Sequence, residues 1–172
     1  MVELIAQADE TGLAASGLAC LDRCVPLFGS GVDEQVLRPL WANLAEGTAW
    51  GGALAGVRQA LEPAEAADAA ADPAAVLARR MLAAAPAERT AGALRTWADG
   101  CSAAALQIHR LLDATGEGVA PLVAAELRRQ IRVLELLGAS APGGGLRQVL
   151  DVSTEGRRVL RAVVSRRART AP

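Results

Sequence analysis

Residues 86–114 read PAERTAGALRTWADGCSAAALQIHRLLDA, and the fold turns on them. Leu94, Trp97, Cys101, Ala105, Ile108 and Leu112 fall three or four apart throughout, the period of one helix face. Pro86 suits the first turn of such a helix, where its missing N–H is no loss. The spacing predicts the longest helix of the chain, running from Pro86 to about Ala114 and ended by TGEG.

The same period continues in both directions. Ala14, Leu18, Leu21, Val25 and Phe28 make a stripe, and Asp33 is placed to cap a helix carrying Val36, Leu37, Leu40, Trp41 and Leu44. Gly47 and Thr48 read as a stop and the next cap, before a helix with Trp50, Leu54, Val57 and Leu61 on one face that ends near Pro63. Asp72-Pro73 opens a helix with Val76, Leu77, Met81 and Leu82. Pro121 opens another, with Val123, Leu127, Ile131 and Leu134 expected inward and Arg128, Arg129 and Arg132 at its edges. Val149, Val152, Gly156, Val159 and Val163 then define either one long helix or two broken at STEG. Pro26 and Pro39 lie inside apolar runs, so kinks or helix ends are expected there.

Apolar residues make up 52% of the 172, dominated by the strong helix formers alanine and leucine, with one Phe and no Tyr. The expected fold is an all-α, single-domain bundle of six to eight helices over residues 1–172. A low-complexity connector lies near 62–72, a Gly-rich break at 140–145 and a basic tail at 165–172. The start, MVELIAQADE, lacks the basic region of a signal peptide, and no apolar run reaches the ~20 residues of a membrane span. With three cysteines, an odd number, the thiols are expected reduced and the protein soluble and cytoplasmic, with no membrane partner.

Charge is divided along the chain. Residues 1–75 carry 3 arginines against 11 acids, a net −8, and residues 76–172 carry 15 arginines against 8 acids, a net +7. Self-neutralisation within one fold, or head-to-tail pairing with a second copy, would each satisfy that split.

Chemistry-bearing constellations are few. Cys20 and Cys24, on one side of a helix, stand with Cβ atoms ~5–6 Å apart, too far for a disulfide without unwinding. Adding Cys101 and His109 gives a zinc-type ligand set by count, but eight helical residues separate those two by ~12 Å, whereas zinc ligands must share bonds of ~2.0–2.3 Å. The cysteines are therefore expected as small core hydrophobes, with neither metal nor cofactor bound. His109 and Asp113, four apart, have the spacing of a base and its orienting carboxylate, yet Ser102 is nearly two turns away and no nucleophile elbow exists. No catalytic residue is assigned. APGGGLRQ lacks both the lysine and the preceding strand of a phosphate loop.

From residue 157 onward there are six arginines and no acid. Arg157, Arg158, Arg161, Arg166 and Arg167 are the expected partner-binding residues, for a protein surface or a second copy. Phosphate contact is a lesser alternative, because aromatics for base stacking are missing.

The segments GLACLDRCVPLF and LRPLWANLAEG, followed by a second Trp-bearing helix, resemble the opening of the uncharacterised bacterial YjaG-like helical family over roughly residues 14–61. The connector GSGVDEQV is shorter than that pattern, and agreement stops at Leu61. The resemblance implies an all-α fold and lends no activity.

The expected function is a non-enzymatic helical interaction or regulatory module that self-associates through its last helix. The alternative is a small-ligand-binding domain with a pocket near Pro26, lined by Trp41, Trp50 and Trp97 and oriented by Arg23, Asp99 or His109. A further alternative is a DNA-associated regulator using the Arg-rich end.

Overall fold

A computed structural model describes residues 8–29, 31–47, 49–67, 72–113, 120–139 and 145–170. Among them are seven α-helices and no strand, so the chain is an all-α bundle. The helices are α1 (Glu10–Arg23), α2 (Arg38–Glu46), α3 (Trp50–Ala67), α4 (Pro73–Ala83), α5 (Ala91–Leu112), α6 (Pro121–Gly138) and α7 (Leu146–Thr170).

α1 is the central rod. Asp9 caps it, accepting from the Gly12 N–H at 2.7 Å, and every residue from Gly12 to Arg23 is buried. A helix covered all round must let several neighbours approach, and small residues at Ala14, Ala15, Gly17 and Ala19 allow it. Gly17 is indispensable there: a Cβ would stand 2.8 Å from the Trp97 ring. That contact, together with the 3.1 Å bond from Arg89 to the Thr11 hydroxyl, sets α1 and α5 parallel. α6 runs antiparallel to α5, since Ser102 meets Gln130 and the Asp113 carboxylate meets the Leu122 N–H.

Both awkward prolines are helix ends. α1 stops at Arg23, and Pro26 lies in a short 3-10 turn, Val25–Leu27. Pro39 occupies the first turn of α2, where no intrahelical N–H bond is lost. α2 therefore begins at Arg38 rather than beside Asp33, which instead caps a turn by accepting from the Gln35 N–H. α2 ends in Gly47, whose φ of 82° is the left-handed cap that glycine adopts without strain. Thr48 lies outside the described residues.

Two boundaries differ from expectation. α3 continues past Pro63 to Ala67 instead of ending there; the bond lost falls on the carbonyl of Gln59, an exposed residue that water can serve. α5 begins at Ala91, not Pro86, because Thr90 is the cap, accepting from the Ala93 N–H. The Pro86 carbonyl is spent instead on the Trp50 indole N–H, at 2.7 Å. α7 is one continuous helix through Gly156. The Gly-rich stretch 140–144 and the connector residues 68–71 lie outside the described residues.

Candidate functional site

Arg23 stands in the last turn of α1, 1% exposed, and a guanidinium so buried needs an anion. Glu126 of α6, 0% exposed, supplies it in a two-pronged contact: Arg23 Nε to Oε2 at 2.9 Å and Nη2 to Oε1 at 2.5 Å. Glu126 also accepts from Gln130 Nε2 at 3.0 Å, one turn along α6, and Gln130 in turn accepts from the Ser102 hydroxyl of α5 at 2.7 Å. His109 of α5 completes the group. Its Nδ1 lies 2.8 Å from the Ala105 carbonyl and its Nε2 3.7 Å from Glu126 Oε2.

The charges follow from these contacts. Burial alone would raise the Glu126 carboxyl, but the Arg23 charge and the hydrogen bonds from Arg23 and Gln130 hold it below its ordinary range, so it stays ionised. Burial would likewise strip Arg23 of its proton, and Glu126 reverses that, holding the guanidinium firmly charged. Burial lowers His109 more than Glu126 raises it, with Arg23 and Arg129 adding to the lowering; the imidazole is therefore neutral. Neutral, it donates from Nδ1 to Ala105 and turns a bare Nε2 toward Glu126. Cys20 touches Arg23 Nη2 at 3.4 Å, yet burial pushes its thiol up to about 12. Cys24 and Cys101 are also raised by burial, and all three are free thiols. Among the described residues no three His, Cys, Asp or Glu side chains gather closely enough to hold a metal ion.

A second ion-pair cluster adjoins the first through Asp22. Arg157 of α7 reaches Asp22 Oδ1 and the Glu34 carbonyl, both at 2.9 Å, and Arg161 pairs with the Glu34 carboxylate. Burial raises Asp22, and Arg157 opposes the rise. The Trp41 indole favours the Asp22 charge without closing a hydrogen bond, leaving its N–H and Asp22 Oδ2 without partners.

The residues expected to bind a ligand are thus divided among three places. Arg23 and His109 meet across Glu126. Trp50 and Trp97 meet edge to face, ring centroids 6.0 Å apart, with the Trp97 N–H donating to the Met81 carbonyl. Trp41 stands beside Asp22, and Asp99 is exposed on α5. Of the expected partner-binding arginines, Arg157 is turned inward and Arg161 is engaged by Glu34, whereas Arg158, Arg166 and Arg167 are exposed on α7.

Glu126 and Gln130 were not legible as core residues. The expected inner face of α6 included Leu127, which is 38% exposed, and Ile131, which is half-buried. The helix is rotated so that Glu126, Gln130, Val133 and Leu134 face inward. The signal was Arg23 itself: an arginine in a mostly apolar stretch, once buried, must find a carboxylate, and here Glu126 supplies it from another helix.

Between α4 and α5 an open groove of about 500 Å³ carries a different chemistry. Leu77, Met81, Trp97 and Ala104 line it, Cys101 and Gly100 contribute to its α5 side, and Arg80 and Thr96 are its polar members. Its volume falls within the range of small-ligand sites, and its lining has their mostly apolar character.

Compared with models of known families, with curated proteins and with solved structures, the chain matches none.

Proposed function

We propose that the chain is a binding module rather than an enzyme, and that the groove between α4 and α5 takes an apolar small molecule. The groove itself carries this reading: about 500 Å³ bordered by Leu77, Met81 and the Trp97 ring. The polar groups of the core support it from the other side. Ser102, His109 and Glu126 are 7%, 2% and 0% exposed and bonded within the core, where a substrate has no access. Three buried free thiols fit a reducing compartment such as the cytoplasm.

Trp97 makes the reading testable. A guest in the groove should change tryptophan emission saturably, and Gly100→Leu should abolish the change by filling the groove. A Cβ at Gly100 meets nothing within 4 Å, so the substitution starts in open space, and unchanged helical circular dichroism is the check on the fold. Emission that no apolar guest alters in the wild-type protein would defeat the proposal.

Self-association remains a second reading, favoured by Leu150, 36% exposed, and Arg158 on the outer side of α7. Mass per particle in solution decides it; a monomer at all protein concentrations rules it out.

A further inference from the structure

We infer that the guest of the α4–α5 groove is an amphiphilic carboxylate whose head pairs with Arg80 and whose chain lies along α5 over Trp97. This rests on the binding reading above and adds the ligand's class. Arg80 is exposed and lines the groove, and it makes no ion pair or side-chain hydrogen bond among the described residues. Arginines set deeper in the fold are committed elsewhere: Arg23 to Glu126, Arg157 to Asp22, and Arg58 to the carbonyls of Leu82, Ala83 and Ala85. A cation without an ion-pair partner among the described residues, at the edge of an apolar groove, matches a ligand with one anionic group on an apolar body. The other polar member, Thr96, already donates its hydroxyl to the Gly92 carbonyl, so Arg80 alone sets the sign of the head.

The dimensions agree. From Ala93 to Ala104 the groove follows twelve residues of α5, about 16 Å at the helical rise, the reach of a medium-length straight chain. Gly100 belongs to the same wall. Gly17 and Gly156 are glycines because Trp97 and Arg23 occupy the space of a Cβ. A Cβ at Gly100 meets nothing, as at Gly52, Gly56 and Gly92, and of these four Gly100 is the one that lines the groove. The space it leaves opens into the groove, where a chain can approach the helix backbone.

The test is titration of the full chain with decanoate and with decan-1-ol, below their aggregation limits, read by tryptophan emission and by calorimetry. Arg80→Gln should weaken decanoate about fivefold, the upper range of an exposed ion pair, and leave decan-1-ol unchanged. The same change at Arg110, exposed near the far end of α5, should alter neither. Gly100→Leu should remove both ligands. Decanoate binding that is indifferent to Arg80→Gln overturns the carboxylate assignment while leaving the groove reading intact. Binding that survives Gly100→Leu places the ligand elsewhere, and no binding of either compound to the wild-type chain defeats the groove reading together with this one.

Discussion

Gly156 of α7 lies directly against the side chain of Arg23: a Cβ there would collide with Cδ and stand 2.9 Å from Cγ. The helix continues through this glycine because glycine alone lets α7 close over the buried guanidinium. Gly156→Ala therefore forces either the helix or the Arg23–Glu126 pair to move. A loss of about 1–3 kcal/mol is expected from overpacking, read as a lower urea midpoint. Gly100→Ala is the control, expected to gain about 0.5–1 kcal/mol from helix propensity alone, since its Cβ meets nothing. A Gly156→Ala chain as stable as the wild type would mean that α7 does not seat on Arg23.

The Arg23–Glu126 pair makes a second prediction. Removing one partner strands the other at about 1% exposure or less, so Glu126→Gln and Arg23→Met should each cost about 3–5 kcal/mol. Replacing both with apolar residues removes the stranded charge, and the double variant should lose less than the sum of the singles. Strict additivity in denaturant unfolding would show that the two charges are not coupled.

His109 gives stability a pH dependence of defined sign. Burial lowers its folded value below the ordinary 6.5, so the unfolded chain takes up the proton first. The contribution of the neutral ring is complete above about 6.5 and is lost as pH falls below it. The groups facing the ring are Glu126, Arg23, Arg129 and the Ala105 carbonyl. Glu126 is lowered as well, so its own loss begins only below the ordinary carboxylate value. The urea midpoint of the wild-type chain should fall with acidification through and below the histidine range. His109→Gln should flatten that first descent and keep the second. An unchanged slope in the variant would assign the descent to another group.

Helix identity was legible wherever one face was purely apolar. The α5 stripe from Leu94 to Leu112 and the α3 set Trp50, Leu54, Val57 and Leu61 are buried as spaced. Legibility failed where a polar residue belongs to the core. On α6 the hydrophobic pattern pointed to Leu127, but the fold needs Glu126 inward to answer Arg23, more than 100 residues earlier. On α7 the inner face includes Ser153, Arg157 and Leu160, and Arg157 is drawn in by Asp22. Such long-range charge pairing leaves no mark in local periodicity. The groove was illegible for a related reason. It depends on what fails to pack beside Ala93, Gly100 and Ala104, and small residues at helical spacing look the same whether they are covered or open.

The three thiols carry the last prediction. Cys20, Cys24 and Cys101 are 2%, 0% and 1% exposed, and burial raises each, Cys20 to about 12, so almost no thiolate exists at neutral pH. A disulfide-exchange reagent attacks only thiolate it can reach. Labelling of the native chain should therefore wait on unfolding, and all three should react across the same denaturant range in which helical circular dichroism is lost. Cys101 is the informative exception to look for, because it borders the groove. If it reacts ahead of the other two, the groove opens locally to its α5 wall, and decanoate should slow that early phase. If a thiol reacts in the native chain while decanoate has no effect, the core around Arg23 is open by a route other than the groove.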